Sequence, residues 1–368
     1  MVASRGDQAP RMSGDQEPRM SFAALLRRLT DGESLSRAEA GWALEQIMAG
    51  EVSDPQAAGF LVALRMKGET AEEIVGLAEV LRRHAAAVAA PEVERAVDVV
   101  GTGGDSRGTF NISTTAAFVV AGAGVPVAKH GNRAASSQCG SADVLEALGV
   151  RIDLDPPQVA ACLRKVGMAF MFAPLHHTAT GRVAGVRRAL GVRTVFNFLG
   201  PLTNPAGVRR LLVGVSLPNY LEVLARALAR LGCNRALLVH GHDGLDELSV
   251  TGPSTVVEVE DGQVKAAADW EPELFGLGRW TLADLAGGDA ATNAALTRAV
   301  LAGEKGARRD VTLLNAGAAL YLADAVTSVS EGVQLAARVI DEGRALQVLE
   351  QMVAFTNEVR SRSWEGGS

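Results

Sequence analysis

The chain has 368 residues, a formal net charge of −6 and a hydrophobic content of 48%, which is enough for two ordinary globular domains. The acidic balance argues against a general nucleic-acid-binding protein, because such proteins present clustered positive charge to phosphates. No apolar run approaches the roughly 20 residues that a transmembrane helix needs, so no membrane partner is predicted. The three cysteines follow neither metal-binding nor disulfide spacing, which favours the cytoplasm.

The N-terminal end of the chain contains a polar tandem repeat, in which residues 6–13 and 14–21 are almost identical octapeptides. A short, polar segment that contains proline cannot bury enough apolar surface to fold alone. We therefore expect residues 1–20 to form a disordered extension. A chain that starts at Met20 should keep its full activity and melting temperature.

Residues 21–92 predict a small helical domain without strands. Ser36 with Glu39, and Thr70 with Glu73, form capping-box patterns before apolar residues at helical spacing. Asp54 before a proline predicts a further helix start, with Asp54 as the N-cap. The apolar faces of these helices are wide, so we expect the domain to pack against the rest of the chain or against a second copy.

From residue 93 onwards, strand patterns alternate with helix patterns, which predicts an α/β domain over residues 93–368 with a mostly parallel central sheet. A glycine loop, residues 101–110, follows its first apolar strand. Its glycines allow a sharp turn and close approach of a ligand. The helix that follows starts with polar residues, where free backbone N–H groups can face an anion. This pattern predicts a phosphate or pyrophosphate cradle, with an ordinary tight turn as the alternative.

Two further polar loops follow strands at what should be the same edge of the sheet. The lysine loop, residues 129–137, offers two cations, an amide and two hydroxyls to an anion, with an ordinary solvated loop as the alternative. The acidic loop, residues 240–249, carries the adjacent Asp246 and Glu247, whose oxygens suit Mg²⁺, although an acidic helix start is the alternative. Together the three loops predict a site for a magnesium-bound pyrophosphate.

A predicted helix over residues 178–190 carries the adjacent Arg187 and Arg188. An arginine in this position can hold a carboxylate through two parallel hydrogen bonds. The alternative is a pair of ordinary surface arginines.

Five stretches of this chain resemble the anthranilate phosphoribosyltransferase family, namely residues 101–105, 111–114, 129–137 with 140–143, 193–205 and 243–248. The resemblance implies a fold like that of the nucleoside phosphorylases, with a helical domain completed by the segment around 174–200. It also implies Mg²⁺-dependent transfer of the phosphoribosyl group of 5-phosphoribosyl-1-pyrophosphate (PRPP) to the amine of anthranilate, in tryptophan biosynthesis. A homodimer that forms through the helical domain is implied as well.

The resemblance also implies which residues hold each substrate. Asn132 and Arg187 would contact anthranilate, and no residue is assigned as a catalytic base. One Mg²⁺ would bind Ser113 and Glu247, and a second would bind Asp246 and Glu247. PRPP would be held by Gly101, Gly104, Asp105, Thr109, Asn111, Thr114, Lys129 and Ser141, and Gly101 would contact both substrates. The loop that closes over PRPP would consist of His130, Gly131, Asn132, Arg133, Ala134, Ala135, Ser136 and Ser137.

Thr180 and Gly185 stand where the family usually carries methionine and proline, which places a local difference at the anthranilate entrance. Two other functions compete with the transferase. A pyrimidine nucleoside phosphorylase shares the fold but uses phosphate, so Asp246 and Glu247 argue against it. A nucleic-acid-binding paralogue without catalysis is opposed by the net negative charge and by the intact loops.

Overall fold

The computed structural model describes residues 20–134 and 138–365. The predictions for residues 1–19 and for Ala135, Ser136 and Ser137 lie outside the described residues. Among the helices of the described ranges, none is both long enough and apolar enough to cross a membrane.

The N-terminal part of the described chain is helical, as predicted, and contains α1 (Phe22–Thr30), α2 (Arg37–Ala49), α3 (Asp54–Lys67) and α4 (Ala71–His84). The capping boxes predicted at the starts of α2 and α4 are both present. The cap predicted for α3 is wrong. Ser53 is the N-cap and forms a capping box with Gln56, which satisfies two backbone N–H groups, and Asp54 is the first helical residue.

The predicted sheet is present and mostly parallel. The strands are β1 (Asp98–Gly101), β2 (Val127–Gly131), β3 (Met168–Phe172), β4 (Arg210–Gly214), β5 (Arg235–Gly241), β6 (Ser254–Glu260), β7 (Gln263–Val264) and β8 (Ala268–Trp270). Strands β1, β4 and β5 run parallel, β6 is antiparallel to β5, and β7 and β8 pair with β6. Strands β2 and β3 form a parallel pair, which a parallel bridge between Val97 and Val127 connects to β1. The carboxyl ends of β1, β2 and β5 therefore meet at one edge.

Helices cover both faces of the sheet. Leu212 and Leu237 face one core, whereas their chain neighbours Leu211 and Leu238 face the other, as the alternation of side chains along a strand requires. The helices are α5 (Ile112–Gly122), α6 (Ser141–Ala147), α7 (Pro156–Val166), α8 (Ala173–His176), α9 (Gly181–Leu190), α10 (Phe196–Leu199), α11 (Leu221–Arg230), α12 (Ala290–Leu301), α13 (Ala307–Leu322), α14 (Val329–Asp341) and α15 (Arg344–Glu365).

The second core joins α1–α4 to α9, α10, α11 and the adjacent face of the sheet. Val183 and Val186 of α9 are buried in this core. Arg182 donates a hydrogen bond to the carbonyl oxygen of Val52 at 2.9 Å and pairs with Asp54 at 3.1 Å. A short 3₁₀ turn, Thr178–Thr180, precedes α9, where one continuous helix was expected. The segment between β3 and β4 thus packs on the N-terminal helices.

Candidate active site

The glycine loop connects β1 to α5 and has a backbone that requires glycine at several positions. Gly103 and Gly104 have φ angles of 68° and 78°, in the left-handed region that side chains disfavour. Gly101 is needed for space, because a Cβ atom there would lie 2.6 Å from Oδ2 of Asp246. The loop therefore combines an unusual backbone path with a close approach to the acidic loop.

The three polar loops meet in one hydrogen-bonded cluster. The backbone N–H of Gly103 donates to Oδ2 of Asp246 at 2.8 Å. At the start of α5, the N–H of Ser113 donates to Oε1 of Glu247 at 3.2 Å. The ammonium group of Lys129 donates to the Ser113 hydroxyl at 3.4 Å and to the carbonyl oxygen of Val99. The sheet edge thus brings together a helix N-terminus, two carboxylates and a lysine.

The charges in this cluster are strongly perturbed. Burial raises the pKa of Asp246 well above its ordinary value, and the nearby Asp105 and Glu247 raise it further. Burial also raises the pKa of Glu247 to about 7, against the opposing effect of Lys129. Burial lowers the pKa of the Lys129 ammonium, which Asp98 and Glu247 partly offset. A cation bound beside these carboxylates would offset the burial and the mutual repulsion that oppose their ionisation.

The protein side chains alone do not complete a metal site. Within residues 20–134 and 138–365, no group of three or more histidine, cysteine, aspartate or glutamate side chains is arranged to hold a metal ion. Asp246, Glu247 and the Ser113 hydroxyl supply hard oxygen donors, which Mg²⁺ prefers together with waters and phosphate oxygens. The donor set fits a Mg²⁺ ion whose remaining ligands come from a phosphorylated substrate.

A buried aspartate lies beneath the lysine loop. Asp98 accepts hydrogen bonds from the backbone N–H of His130 at 3.3 Å and from Nδ2 of Asn204 at 2.8 Å. Asn204 also donates to the carbonyl oxygen of Ala128 at 2.9 Å. Burial raises the pKa of Asp98 to about 6, although Lys129 lowers it. Sequence reasoning missed Asp98 and Asn204, and the available signal was a carboxylate inside an apolar strand.

His130 is buried and electrically neutral. Its Nδ1 donates to the carbonyl oxygen of Gly200 at 3.1 Å, and its ring lies 5.2 Å from that of His177. Its Nε2 is buried and has no hydrogen-bond partner among the described residues. Burial lowers the pKa of His130 to about 3. Such a weak base is a poor proton acceptor, so the structure offers no support for acid–base catalysis by this side chain.

Arg133 does not present a free cation, contrary to the expectation for the lysine loop. Its guanidinium donates to Asp143 at 3.0 Å and to Glu146 at 2.5 Å, and it lies 5.4 Å from the ring centroid of Phe172. The backbone N–H of Ala134 donates to the same Asp143 at 2.9 Å. Two carboxylates of α6, spaced to face one arginine, thus hold this part of the loop.

The neighbouring polar residues Ser141 and Asn111 also form hydrogen bonds within the protein. Ser141 donates to the carbonyl oxygen of Asn132 at 3.2 Å. The Asn111 amide donates to the carbonyl oxygen of Cys139 at 3.2 Å and accepts from Asn293 at 2.9 Å. Asn293 on α12 is a residue that sequence reasoning did not single out.

Two threonines near the start of α5 differ in their surroundings. Thr109 pairs with Ala286 in an isolated antiparallel bridge. Thr114 is buried, and its hydroxyl has no partner among the described residues. A buried hydroxyl without a partner at a helix start is available to an anionic ligand.

Arg187 lies on α9, with its guanidinium 5.2 Å from the ring centroid of Phe196. Burial lowers the pKa of Arg187, and no ion pair within the described ranges includes it. This arginine is therefore a partly desolvated cation whose hydrogen-bonding fork is available for a carboxylate.

Comparisons with known proteins place the chain in a family. Residues 23–85 match the helical bundle domain, and residues 93–346 the a/b domain, of a glycosyl transferase family. The chain is 54% identical over 338 residues to the anthranilate phosphoribosyltransferase of Rubrobacter xylanophilus, which covers 92% of this chain and 98% of that protein. It is 52% identical over 334 residues to that of Pelotomaculum thermopropionicum, with coverage of 91% and 96%. The chain belongs to the anthranilate phosphoribosyltransferase family.

Solved structures of anthranilate phosphoribosyltransferases have the same fold. That from Thermus thermophilus is 47% identical, with a TM-score of 0.85 and coverage of 90% of this chain and 99% of that one. That from Saccharomyces cerevisiae in complex with PRPP and Mg is 30% identical, with a TM-score of 0.84 and coverage of 92% and 98%. The expected fold, a small helical part and a larger α/β part, is confirmed. Membership of this family favours the transferase over the two competing functions.

Proposed function

We propose that this chain transfers the 5-phosphoribosyl group of PRPP to the amine of anthranilate, with release of pyrophosphate, as a Mg²⁺-dependent enzyme of tryptophan biosynthesis. The observation that carries the proposal is the cluster in which Gly103, Ser113 and Lys129 meet Asp246 and Glu247. The names of the relatives support it, since one structural relative is a complex with PRPP and Mg and another is a yeast enzyme in complex with 4-fluoroanthranilate.

PRPP would bind across the glycine loop, the start of α5 and the lysine loop. The free hydroxyl of Thr114 and the buried ammonium of Lys129 support this assignment, because both suit phosphate oxygens. Asn111 and Arg133 already have protein partners, so they would act mainly by shaping the loops. The full proposed set remains the one that the resemblance implies, with Gly101, Gly104, Asp105, Thr109, Gly131, Asn132, Ala134 and Ser141 among its described members.

Two Mg²⁺ ions are proposed, one at Ser113 and Glu247 and one at Asp246 and Glu247. When bound, Mg²⁺ would neutralise the charge that develops on the departing pyrophosphate. The chain itself would add N–H groups of the glycine loop and of the α5 N-terminus, which stabilise negative charge without reorganisation. Asp246 and Glu247 would ionise on binding, because a metal ion competes with the proton that their raised pKa values favour.

Anthranilate would bind with its carboxylate on Arg187 and with Asn132 nearby. No catalytic base is proposed, since an aromatic amine is unprotonated at neutral pH and can attack directly. His130 would orient the lysine loop through its bond to Gly200. Most of the acceleration would then come from placing the amine against the anomeric carbon.

The proposal includes the assembly of the enzyme. The helical domain would span residues 21–92 together with the segment around 174–200, and the α/β domain would span 93–368. A homodimer would form through the helical domain, which carries the exposed Met66. Light scattering coupled to size-exclusion chromatography measures the oligomeric state.

The enzyme would act in the cytoplasm, without nucleic-acid or membrane partners.

An activity assay tests the reaction itself. Anthranilate fluorescence should fall only when PRPP and Mg²⁺ are both present. The double variant D246N/E247Q should keep its fold, judged by circular dichroism, and lose this Mg²⁺-dependent turnover. Phosphorolysis of thymidine or uridine in place of anthranilate consumption would overturn the proposal.

Arg187→Ala tests the anthranilate site. Loss of a two-point, charge-assisted contact should raise the apparent KM for anthranilate by about 10- to 100-fold and leave the KM for PRPP nearly unchanged. Arg188→Ala is the matched control, since Arg188 is the exposed neighbour on the same helix. Equal increases of both KM values in the Arg187 variant would show that this assignment is wrong.

A further inference from the structure

The segment 193–205 carries part of the family resemblance but has no role in the proposed reaction. Its first residue, Arg193, contacts the glycine loop directly. One guanidinium nitrogen, Nη1, donates to the carbonyl oxygen of Gly104 at 2.9 Å. The other, Nη2, donates to the carbonyl oxygen of Gly103 at 3.0 Å and to the Ser216 hydroxyl at 2.6 Å. One arginine thus holds two successive peptide groups of the loop.

These contacts determine which way the loop N–H groups point. All described peptide bonds are trans, so each C=O points opposite to the N–H of the same peptide group. Because Arg193 holds the carbonyl groups of Gly103 and Gly104, the N–H groups of Gly104 and Asp105 point away from it. Neither N–H has a protein acceptor within residues 20–134 and 138–365. The loop therefore offers two free, oriented donors.

Arginine suits this position for reasons of both space and shape. A Cβ atom on Gly104 would lie 2.8 Å from Nη1 of Arg193, so the guanidinium packs directly on the glycine. Its planar fork reaches three acceptors at once, whereas the single ammonium of a lysine cannot match that spread. The Ser216 hydroxyl in turn contacts the Thr102 hydroxyl at 2.9 Å, which ties the same loop to the end of β4.

We propose that Arg193 is a positioning residue for PRPP binding, which holds the glycine loop so that the N–H groups of Gly104 and Asp105 face the phosphates. This inference rests on the proposed function, because it takes the glycine loop as the phosphate site. Arg193 contacts no substrate in this scheme and acts through the loop. It closely follows α9, so the segment that bears Arg187 would also hold the PRPP loop in place.

The test compares Arg193→Gln and Arg193→Lys with a matched control. Arg209 also donates to a left-handed glycine, since its Nε bonds the carbonyl oxygen of Gly232 at 2.8 Å, but it lies outside the site. For Arg193→Gln we expect the KM for PRPP to rise about 10- to 100-fold, as for other residues that orient a ligand-binding group, with the KM for anthranilate nearly unchanged. The KM for PRPP of Arg193→Lys should lie between those of Arg193→Gln and the unmodified enzyme. Arg209→Gln should have the same KM for PRPP as the unmodified enzyme.

Hydrogen–deuterium exchange of the unmodified protein and its variants provides a readout that does not depend on turnover. Arg193→Gln should accelerate exchange in peptides that cover residues 101–110 and leave exchange in α13 and α14 unchanged. Unchanged exchange in the glycine loop, or an unchanged KM for PRPP, would overturn the inference. A general loss of protection, with both KM values raised equally and no rescue in Arg193→Lys, would indicate a merely structural role and would also overturn it.

The two proposals fail in different ways. If the unmodified chain did not consume anthranilate with PRPP and Mg²⁺, the proposed function would fail. The exchange experiment would still decide whether Arg193 holds the glycine loop.

Discussion

At the scale of single residues, Asp246 and Glu247 lie in surroundings that oppose their ionisation. Burial is the main cause, and the neighbouring Asp105 adds repulsion to both. Backbone N–H groups of Gly103 and Ser113 act in the opposite direction. The ligand-free protein thus holds a pair of carboxylates at a cost that a bound cation would relieve.

Stability should therefore depend on pH through Glu247. Its pKa rises from 4.5 to about 7 in the folded chain, so the folded state holds a proton that the unfolded state has lost. This contribution is fully present below pH 4.5 and disappears as the pH rises through about 7. Without Mg²⁺, raising the pH over this range should lower the free energy of unfolding of the unmodified chain. The decrease should exceed that of the Glu247→Gln variant by at most about 3 kcal/mol. Urea unfolding at several pH values measures this free energy for both proteins. Parallel pH profiles for the two proteins would contradict the raised pKa of Glu247.

At the scale of elements, the ends of β1 and β4 leave room for the acidic loop. Gly101 and Gly214 are partners in the parallel register of these two strands. A Cβ atom on Gly214 would overlap the carbonyl oxygen of Asp246, and one on Gly101 would lie 2.6 Å from its Oδ2. The position of Asp246 thus depends on two adjacent strand ends that carry no side chain.

Gly214→Ala should displace the acidic loop. Because the clash is with backbone, the neighbouring turn must move, which we expect to cost about 1–3 kcal/mol of stability and most of the Mg²⁺-dependent turnover. Gly252→Ala is the control, since a Cβ atom there would meet nothing within 4 Å. Melting temperature and the anthranilate assay measure the two effects. Full activity in Gly214→Ala would show that the position of Asp246 does not matter.

At the scale of the whole molecule, a polar cluster connects the N-terminal helices to α10 and to the start of α11. Tyr220, just before α11, donates to the carboxylate of the buried Glu69, and Arg65 of α3 donates to the Tyr220 hydroxyl at 2.8 Å. The Tyr220 ring stacks on Phe198 of α10 at 4.3 Å between centroids. Burial raises the pKa of Tyr220 to about 12, so its hydroxyl stays protonated at neutral pH. The cluster thus joins three parts of the second core.

Tyr220→Phe should weaken this connection. Loss of the hydroxyl leaves the buried Glu69 carboxylate without its main donor, which should cost about 1–3 kcal/mol and lower the melting temperature in calorimetry. Tyr321→Phe is the control, because its hydroxyl contacts Glu258 at a longer 3.3 Å on a half-buried side chain. Similar small shifts in both variants would mean that the cluster contributes little.

Local signals in the chain were sufficient for much of this structure. The capping boxes of α2 and α4 depend on residues three positions apart. The glycine loop is recognisable from adjacent residues between a strand and a helix. The cap of α3 was misassigned because Ser53 and Asp54 are adjacent and both suit an N-cap. The pairing of Arg133 with Asp143 and Glu146 was missed because its charge alone suggested an anionic ligand.

The sequence by itself determined most of the element types, the polar loops at one sheet edge and the family resemblance, because these depend on neighbouring residues and on strand direction. Only the tertiary structure decided that Asn204 holds Asp98, that Asn293 holds Asn111 and that Arg193 holds the glycine loop. These pairs are far apart in the chain, and no periodic pattern marks them. Their partners are chosen by how the packed elements bring buried polar groups together, since each such group must find a hydrogen bond once water is excluded.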